Sequence, residues 1–369
     1  MKIHGAGPRP VARLLVIASA VAMTITVLSA VAPGGPAARA ATTSGPAIAV
    51  ADGNSVIAIQ TSGNGLRFYW NEHGTQTWHG EQVAANGTTF SAPTITEVGD
   101  YVVIAALGAS NTLDFYWQLN GGTGWNAKTV AGRGTTFFVP RVVADGNSPI
   151  ITAEGPGNSL YFYWAASVSS AWHQETVAGP ATTFSVPAMT VNNHSVNIAA
   201  VGPGSSLYFY WAANGSSVWT PEVVAGAGTT NSAPAITANA GSVNVVALGP
   251  TFGQRFYWAA NGTNVWHQDP LLPGFDVGAP AITTVPGGVH VVNIDLFGRT
   301  DDESTVNGTG TWTYRAVAGA SSTGGFPDVT TNDGVVNIAQ LGADGNLYFF
   351  FDDAPYPFIQ ELVDTSANL

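Results

Sequence analysis

Arg67, Tyr69 and Trp78 make one group in the sequence, and Arg255, Tyr257 and Trp266 repeat it further along. Trp125, Trp172 and Trp219 stand at the matching place in the segments between. His79, His173 and His267 each directly follow one of these tryptophans. An aromatic ring offers an apolar face on which the C–H face of a sugar can stack, and a guanidinium donates forked hydrogen bonds to hydroxyls or a carboxylate. These residues are the candidate ligand-binding set. The competing reading is that Arg and Trp form ordinary structural cation–π pairs. The histidines, with Glu81, Glu175 and Asp269 two residues beyond them, are polar partners that a facing surface can share. One per segment, the histidines lie too far apart to ligate a single metal, and surface positions on an outer strand are their alternative.

A second cluster is acidic: Asp301, Asp302 and Glu303, preceded by Asp295 and Arg299. Two carboxylates can work as acid and base on a glycosidic bond, which would make a polysaccharide hydrolase or lyase. Acidic oxygens also suit calcium, and these three residues are the metal candidates. The third reading is a degenerate segment whose strand is frayed or exposed. No catalytic residue is assigned and no resident cofactor is expected beyond that calcium. The sequence has no nucleophile elbow, zinc-protease helix motif, P-loop or dinucleotide fingerprint.

Composition narrows the classes further. The 369 residues are 9% charged and 45% hydrophobic, with 17 Phe, 11 Tyr and 11 Trp, so a sizeable core can form. There is no cysteine, which removes disulfides, thiolate catalysis and cysteine-ligated metal sites. Lys2, Arg9 and Arg13 precede an apolar stretch from Leu14 to Ala32, and Ala38-Arg39-Ala40 supplies a small-x-small cleavage site. Residues 1–40 therefore read as a secretory signal peptide, and the protein is expected to be extracellular. A membrane association arises only if that segment stays uncleaved. Removing it takes four of the 11 basic residues and no acidic one, leaving 7 against 23 and a net charge of −16. Such a surface repels nucleic-acid phosphate, so nucleic acid is not an expected partner.

The elements that must position these residues come in a repeat. Pro46, Pro93, Pro140, Pro187, Pro234, Pro280 and Pro327 are spaced 47, 47, 47, 47, 46 and 47 residues apart. Twenty-four residues after them stand Trp70, Trp117, Trp164, Trp211, Trp258, Ser304 and Phe351, and the second tryptophans follow eight residues later. Within one unit, Pro187–Val191, Ser195–Val201, Leu207–Trp211 and Trp219–Val224 read as four short strands, and no window has helical spacing. Asn214-Gly215, Asn261-Gly262 and Asn307-Gly308 mark turns between the third and fourth, while Asp52-Gly53 and Asp145-Gly146 mark turns between the first and second. Seven such units predict an all-β chain: residues 41–369 form one seven-bladed β-propeller of four-stranded antiparallel blades, each a contiguous repeat.

Alternation then divides each third strand. A two-residue turn at Asn214-Gly215 would pair Trp211 with Val218 and Tyr210 with Trp219. Leu207, Phe209 and Trp211 go to one face and Tyr208, Tyr210 and Trp219 to the other, so the two tryptophans of a blade serve different seams. Trp70, Trp117, Trp164, Trp211 and Trp258 read as core.

The tandem aromatic blades, such as Leu160-Tyr161-Phe162-Tyr163-Trp164 followed by Trp172-His173, resemble the repeats of secreted bacterial and fungal β-propeller lectins. The resemblance implies a carbohydrate-binding protein with several shallow inter-blade sites and glycans or cell-surface polysaccharide as partners. Repetition fits binding, because copied weak sites give avidity towards a polyvalent surface. The alternatives are the hydrolase or lyase already named and a non-catalytic protein-interaction scaffold.

Overall fold

A computed structural model describes residues 45–72, 75–192, 195–269, 276–306, 310–352 and 357–365. The expected signal peptide and the Asn307-Gly308 turn fall outside these residues. Seven four-stranded antiparallel sheets span residues 47–84, 94–131, 141–178, 188–225, 235–269, 276–318 and 328–364, each with its strands in sequence order. These are blades 1 to 7. The first strands of consecutive blades lie against one another, and Asp328–Asn332 of blade 7 lies against Ala47–Ala51 of blade 1. The ring closes by docking, with no strand exchanged. The chain is a seven-bladed β-propeller.

The turn chemistry is visible at Asp52-Gly53. Both residues have positive φ, 47° and 73°, and Ala51 pairs with Asn54, as a tight hairpin turn requires. In blade 3 the turn keeps the same place in the repeat but falls on Gly146-Asn147, one residue beyond the expected Asp145-Gly146, because Asp145 itself pairs with Ser148. Asn214-Gly215 begins a turn in which the Ser216 N–H donates to the Ala213 carbonyl, but the ladder resumes only at Thr220. Trp211 therefore pairs with Thr220 and Tyr210 with Pro221, two residues beyond the expected register. An even slip keeps every side chain on its expected face.

Packing is organised by seams. Each hydrophobic cluster draws its residues from two consecutive blades, including one shared by blades 7 and 1. The second and third strands are covered on both sides, which explains their nearly continuous apolar runs. Blade 6 is no exception in its backbone. Its third strand, Thr300–Val306, is paired along both edges and is almost wholly buried, so the expectation of a frayed or exposed strand is corrected. Carboxylates tolerated at such positions must be paired by neighbouring groups or held neutral.

Candidate functional site

In blades 1 to 6 the second tryptophan packs against a phenylalanine of the preceding blade, edge-on in five of them and tilted by 59° in blade 1. Phe68–Trp125, Phe115–Trp172, Phe162–Trp219, Phe209–Trp266, Phe256–Trp312 and Phe349–Trp78 have centroids 4.9–5.2 Å apart. Each such pair adds about 0.5–1.5 kcal/mol beyond the area it buries. Trp70, Trp117, Trp164, Trp211 and Trp258 sit on the opposite face and are half-buried, not fully enclosed. On three of them lies an exposed histidine: His79 stacks on Trp70 at 5.4 Å, and His173 on Trp164 and His267 on Trp258 at 4.3 Å.

A carboxylate on the fourth strand joins these two kinds of tryptophan. Glu175 accepts the indole N–H of Trp164 in its own blade at 3.1 Å and that of Trp219 in the next at 3.0 Å. Glu222 does the same for Trp211 (2.9 Å) and Trp266 (3.0 Å). Glu81 accepts from Trp125 at 2.8 Å, and Glu361 from Trp78 at 2.9 Å across the closing seam. Blade 2 has Lys128 at this place; its ammonium donates to the Ser170 carbonyl, and the buried Trp172 Nε1 has no partner among the described residues. Asp269 of blade 5 is one methylene shorter. It reaches Trp258 at 3.2 Å, while the buried Nε1 of Trp312 is left without a partner among the described residues. Glu81, Glu175 and Asp269 were legible in the sequence, whereas Glu222 and Glu361 were missed; the available signal was their spacing, 11 residues after Trp211, as Glu175 follows Trp164, and 10 after Phe351.

The seam between blades 5 and 6 opens into a cleft of about 480 Å³. Phe256, Trp258 and Val289 give it an apolar floor, and Ser242, Asn244, Asp269 and Thr305 supply polar groups. One face of Trp258 is covered by His267, and the indole still lines this cleft. A half-exposed aromatic platform beside a carboxylate and hydroxyls is suited to a polar ring with an apolar face.

The remaining expected groupings divide. Arg67 lies over the Tyr69 ring at 5.2 Å and 3.8 Å from Asp364 of blade 7. Tyr69 is only 2% exposed and donates its O–H to Asp364 at 2.6 Å; burial, then that bond, pushes its pKa far up. Tyr257 is 3% exposed. Neither phenol reaches a ligand, which corrects their place in the binding set. Trp78 shares a face with Arg67 but not a contact: Arg67 pairs with Gln82 and Asn71 with Trp78, at opposite ends of the strand. In blade 5 the half-buried Arg255 likewise lies at the far end from Trp266, over Gly249, where a Cβ would stand 2.4 Å from its Nε.

In blade 6 the three acidic candidates do not share a face. Asp302 turns towards blade 7, with His290 Nδ1 3.0 Å from both its oxygens. Asp301 and Glu303 turn towards blade 5. Arg299 joins Asp301 (3.2 Å) to Asp295 (3.1 Å), and the Tyr314 O–H also donates to Asp301. Burial, reinforced by the nearby Asp276 carboxylate, pushes Glu303 up to about 8; burial also pushes Asp276 up to about 6. Asp301, Asp302 and Glu303 are 3%, 0% and 4% exposed. A polysaccharide chain has no access to a carboxylate pair so enclosed. Among the described residues, no three Asp, Glu or His side chains are grouped to hold a metal ion.

The sequence matches no protein-family model and no curated protein. Solved structures do share the architecture. The BP39L lectin from Burkholderia pseudomallei superposes with a TM-score of 0.77 at 15% identity, covering 87% of this chain and 99% of the lectin. The SapL1 lectin in complex with alpha methyl fucoside gives 0.56 at 13% identity, covering 88% and 98%. The lectin of Aleuria aurantia in complex with Fucalpha1-6GlcNAc gives 0.54 at 13%, covering 88% and 96%. At such identities the likeness is one of fold, and the function must be argued from the seams.

Proposed function

We propose that this protein is a secreted, lectin-like propeller that binds glycans at its inter-blade seams, with the cleft between blades 5 and 6 as a candidate site. The observation that carries the reading is the placement of Trp258 and Asp269 together on one wall of that cleft, opposite Val289 and Thr305. The C–H face of a sugar ring stacks on the Trp258 indole, and the Asp269 carboxylate accepts a hydrogen bond from a sugar hydroxyl. Ser242 and Asn244 lie at the polar edge. No bond is broken. Binding is a surplus of stacking and charge-assisted hydrogen bonding over the water displaced.

Related platforms recur around the ring. Trp70 with His79 and Trp164 with His173 form the same stacked pair, beside carboxylates already holding two or one indole N–H groups. Copies of modest affinity on one rigid frame engage a polyvalent surface with avidity. The acidic surface left by loss of residues 1–40 directs the protein to neutral glycans over anionic ones. The likeness to lectins crystallised with fucosides makes fucosylated glycans the first to try.

The test is a glycan array probed with the protein beginning at Ala41, alongside Trp258→Ala and Asp269→Asn. Binding by the parent protein that both substitutions reduce, with thermal unfolding unchanged in form, is the expected result. No binding to any glycan overturns the reading. The export step is tested separately: the secreted protein is expected to have Ala41 as its first residue.

A further inference from the structure

We propose that the seam between blades 5 and 6 holds a hard divalent cation, of the calcium class, between Gln254, Asp276, Asn293 and Glu303. Four orphaned oxygens point to it. Gln254 Oε1, Asp276 Oδ2, Asn293 Oδ1 and Glu303 Oε2 are all buried and find no hydrogen-bond partner among the described residues. Their residues are 6%, 3%, 2% and 4% exposed. A buried polar atom left unpaired loses its hydration with nothing in return, so four in one place call for a common partner.

The sheet geometry brings them together. Asp276 pairs with Asp295, Asn293 with Asp301 and Val291 with Glu303, which sets Asp276, Asn293 and Glu303 on the face of blade 6 that meets blade 5. Gln254 comes from blade 5, at the place where Leu66, Leu113, Leu160 and Leu207 of other blades face their next neighbour. In those seams the matching positions carry leucine, threonine, alanine and tyrosine, for example Leu66, Thr89, Ala106 and Tyr116, whose only side-chain polar groups are hydroxyls, some of them also unpaired, as at Thr136 and Tyr163. Here two carboxylates and two amides stand at those places, and the ring of the tyrosine is absent.

The next seam shows what a closed polar version looks like. Thr300, Thr323 and Gln340 occupy the same places as Gln254, Asp276 and Asn293. Thr300 Oγ1 donates to Gln340 Oε1 at 2.8 Å, lies 3.1 Å from Thr323 Oγ1, and the Gln340 amide donates to Thr323. That trio satisfies itself. In the group between blades 5 and 6 the Gln254 amide lies against Asp276 and the Asn293 amide against Glu303, yet one oxygen of each of the four side chains stays unpaired. Among the described residues no cation stands beside the two carboxylates: Arg299 is committed to Asp295 and Asp301. Two carboxylates and two amide carbonyls form a donor set that calcium accepts, since it takes carboxylate and Asn or Gln oxygens alike. The site is distinct from the glycan cleft and does not depend on it.

The test uses the secreted protein stripped with EDTA and titrated with calcium chloride. Equilibrium dialysis is expected to find one tightly held Ca²⁺ per chain, with Tm raised by about 3 °C or more at saturation. Glu303→Gln is expected to abolish both effects, and Gln254→Leu, which restores the residue of other blades, to weaken calcium binding about tenfold. Glu97→Gln, remote from the seam, is expected to change neither. Absence of calcium binding by the stripped parent protein at 1 mM (about the weak limit for extracellular calcium modules) overturns the proposal. So does undiminished binding by Glu303→Gln.

Discussion

Glu222 accepts the indole N–H of Trp266 across the seam between blades 4 and 5 at 3.0 Å, while the same carboxylate holds Trp211 of its own blade. One side chain thus ties two aromatic layers and two blades. Its removal by Glu222→Ala strands two indole donors. The expected cost is about 2–3 kcal/mol, read as a lowered urea midpoint with an unchanged slope. A loss below about 0.5 kcal/mol would show that solvent replaces the carboxylate at no cost.

Blade 2 offers the reverse experiment. Lys128 occupies the carboxylate position, and Trp172 Nε1 is buried without a partner among the described residues. Lys128→Glu supplies the missing acceptor and gives up one bond to the Ser170 carbonyl. A net gain of about 1 kcal/mol is expected in the same urea measurement. Destabilisation would mean that the lysine–carbonyl bond outweighs the indole pairing.

How much of this was legible in the sequence depends on which quantity is asked for. The proline and tryptophan spacing carries the blade number, because each repeat must rebuild the same seam. The faces of Trp211 and Trp219 followed from alternation even though the register slipped by two at Ser216–Trp219, since parity survives an even slip. The carboxylate–indole ties were hidden because they depend on how far one blade is rotated against the next, which no single repeat encodes. Asp276 was hidden for another reason: it lies in a link four residues before Pro280, where loop residues look interchangeable. Aligned by that offset it replaces Thr89, Thr136, Thr183 and Thr230, all of them buried. The separation of Asp302 from Asp301 and Glu303, by contrast, was already written in strand alternation.

Asp269 poses a choice between stability and binding. As an aspartate it holds Trp258 and leaves the buried Trp312 Nε1 without a partner among the described residues. Asp269→Glu is expected to reach both indoles, as Glu175 does, raising Tm by about 2–4 °C. The longer side chain also fills cleft volume, so glycan binding at this seam is expected to fall about tenfold. A calorimetric scan and a binding titration on the same sample check the two halves. An unchanged Tm would contradict the first, and unchanged affinity the second.

Alkaline pH attacks the seams through their tyrosines. Burial, aided by a nearby acidic or phenolic group, pushes Tyr116 and Tyr210 up to about 12, from about 10 in the unfolded chain. A raised folded value means that the unfolded state loses its proton first. Their contribution is therefore complete below pH 10 and is lost as pH rises from 10 to 12. Tyrosinate absorbance is expected to show a late phase that coincides with unfolding in that window. Ionisation of all tyrosines near pH 10 in folded protein would contradict the seam burial.

The central claim is that a sugar sits between blades 5 and 6, and a crystal structure with a glycan taken from the array tests it most directly. The predicted result is a pyranose stacked on Trp258 with a hydroxyl within about 3 Å of an Asp269 oxygen. A glycan bound only in the central channel or at the opposite end of the ring, with that cleft holding nothing but solvent, would contradict it.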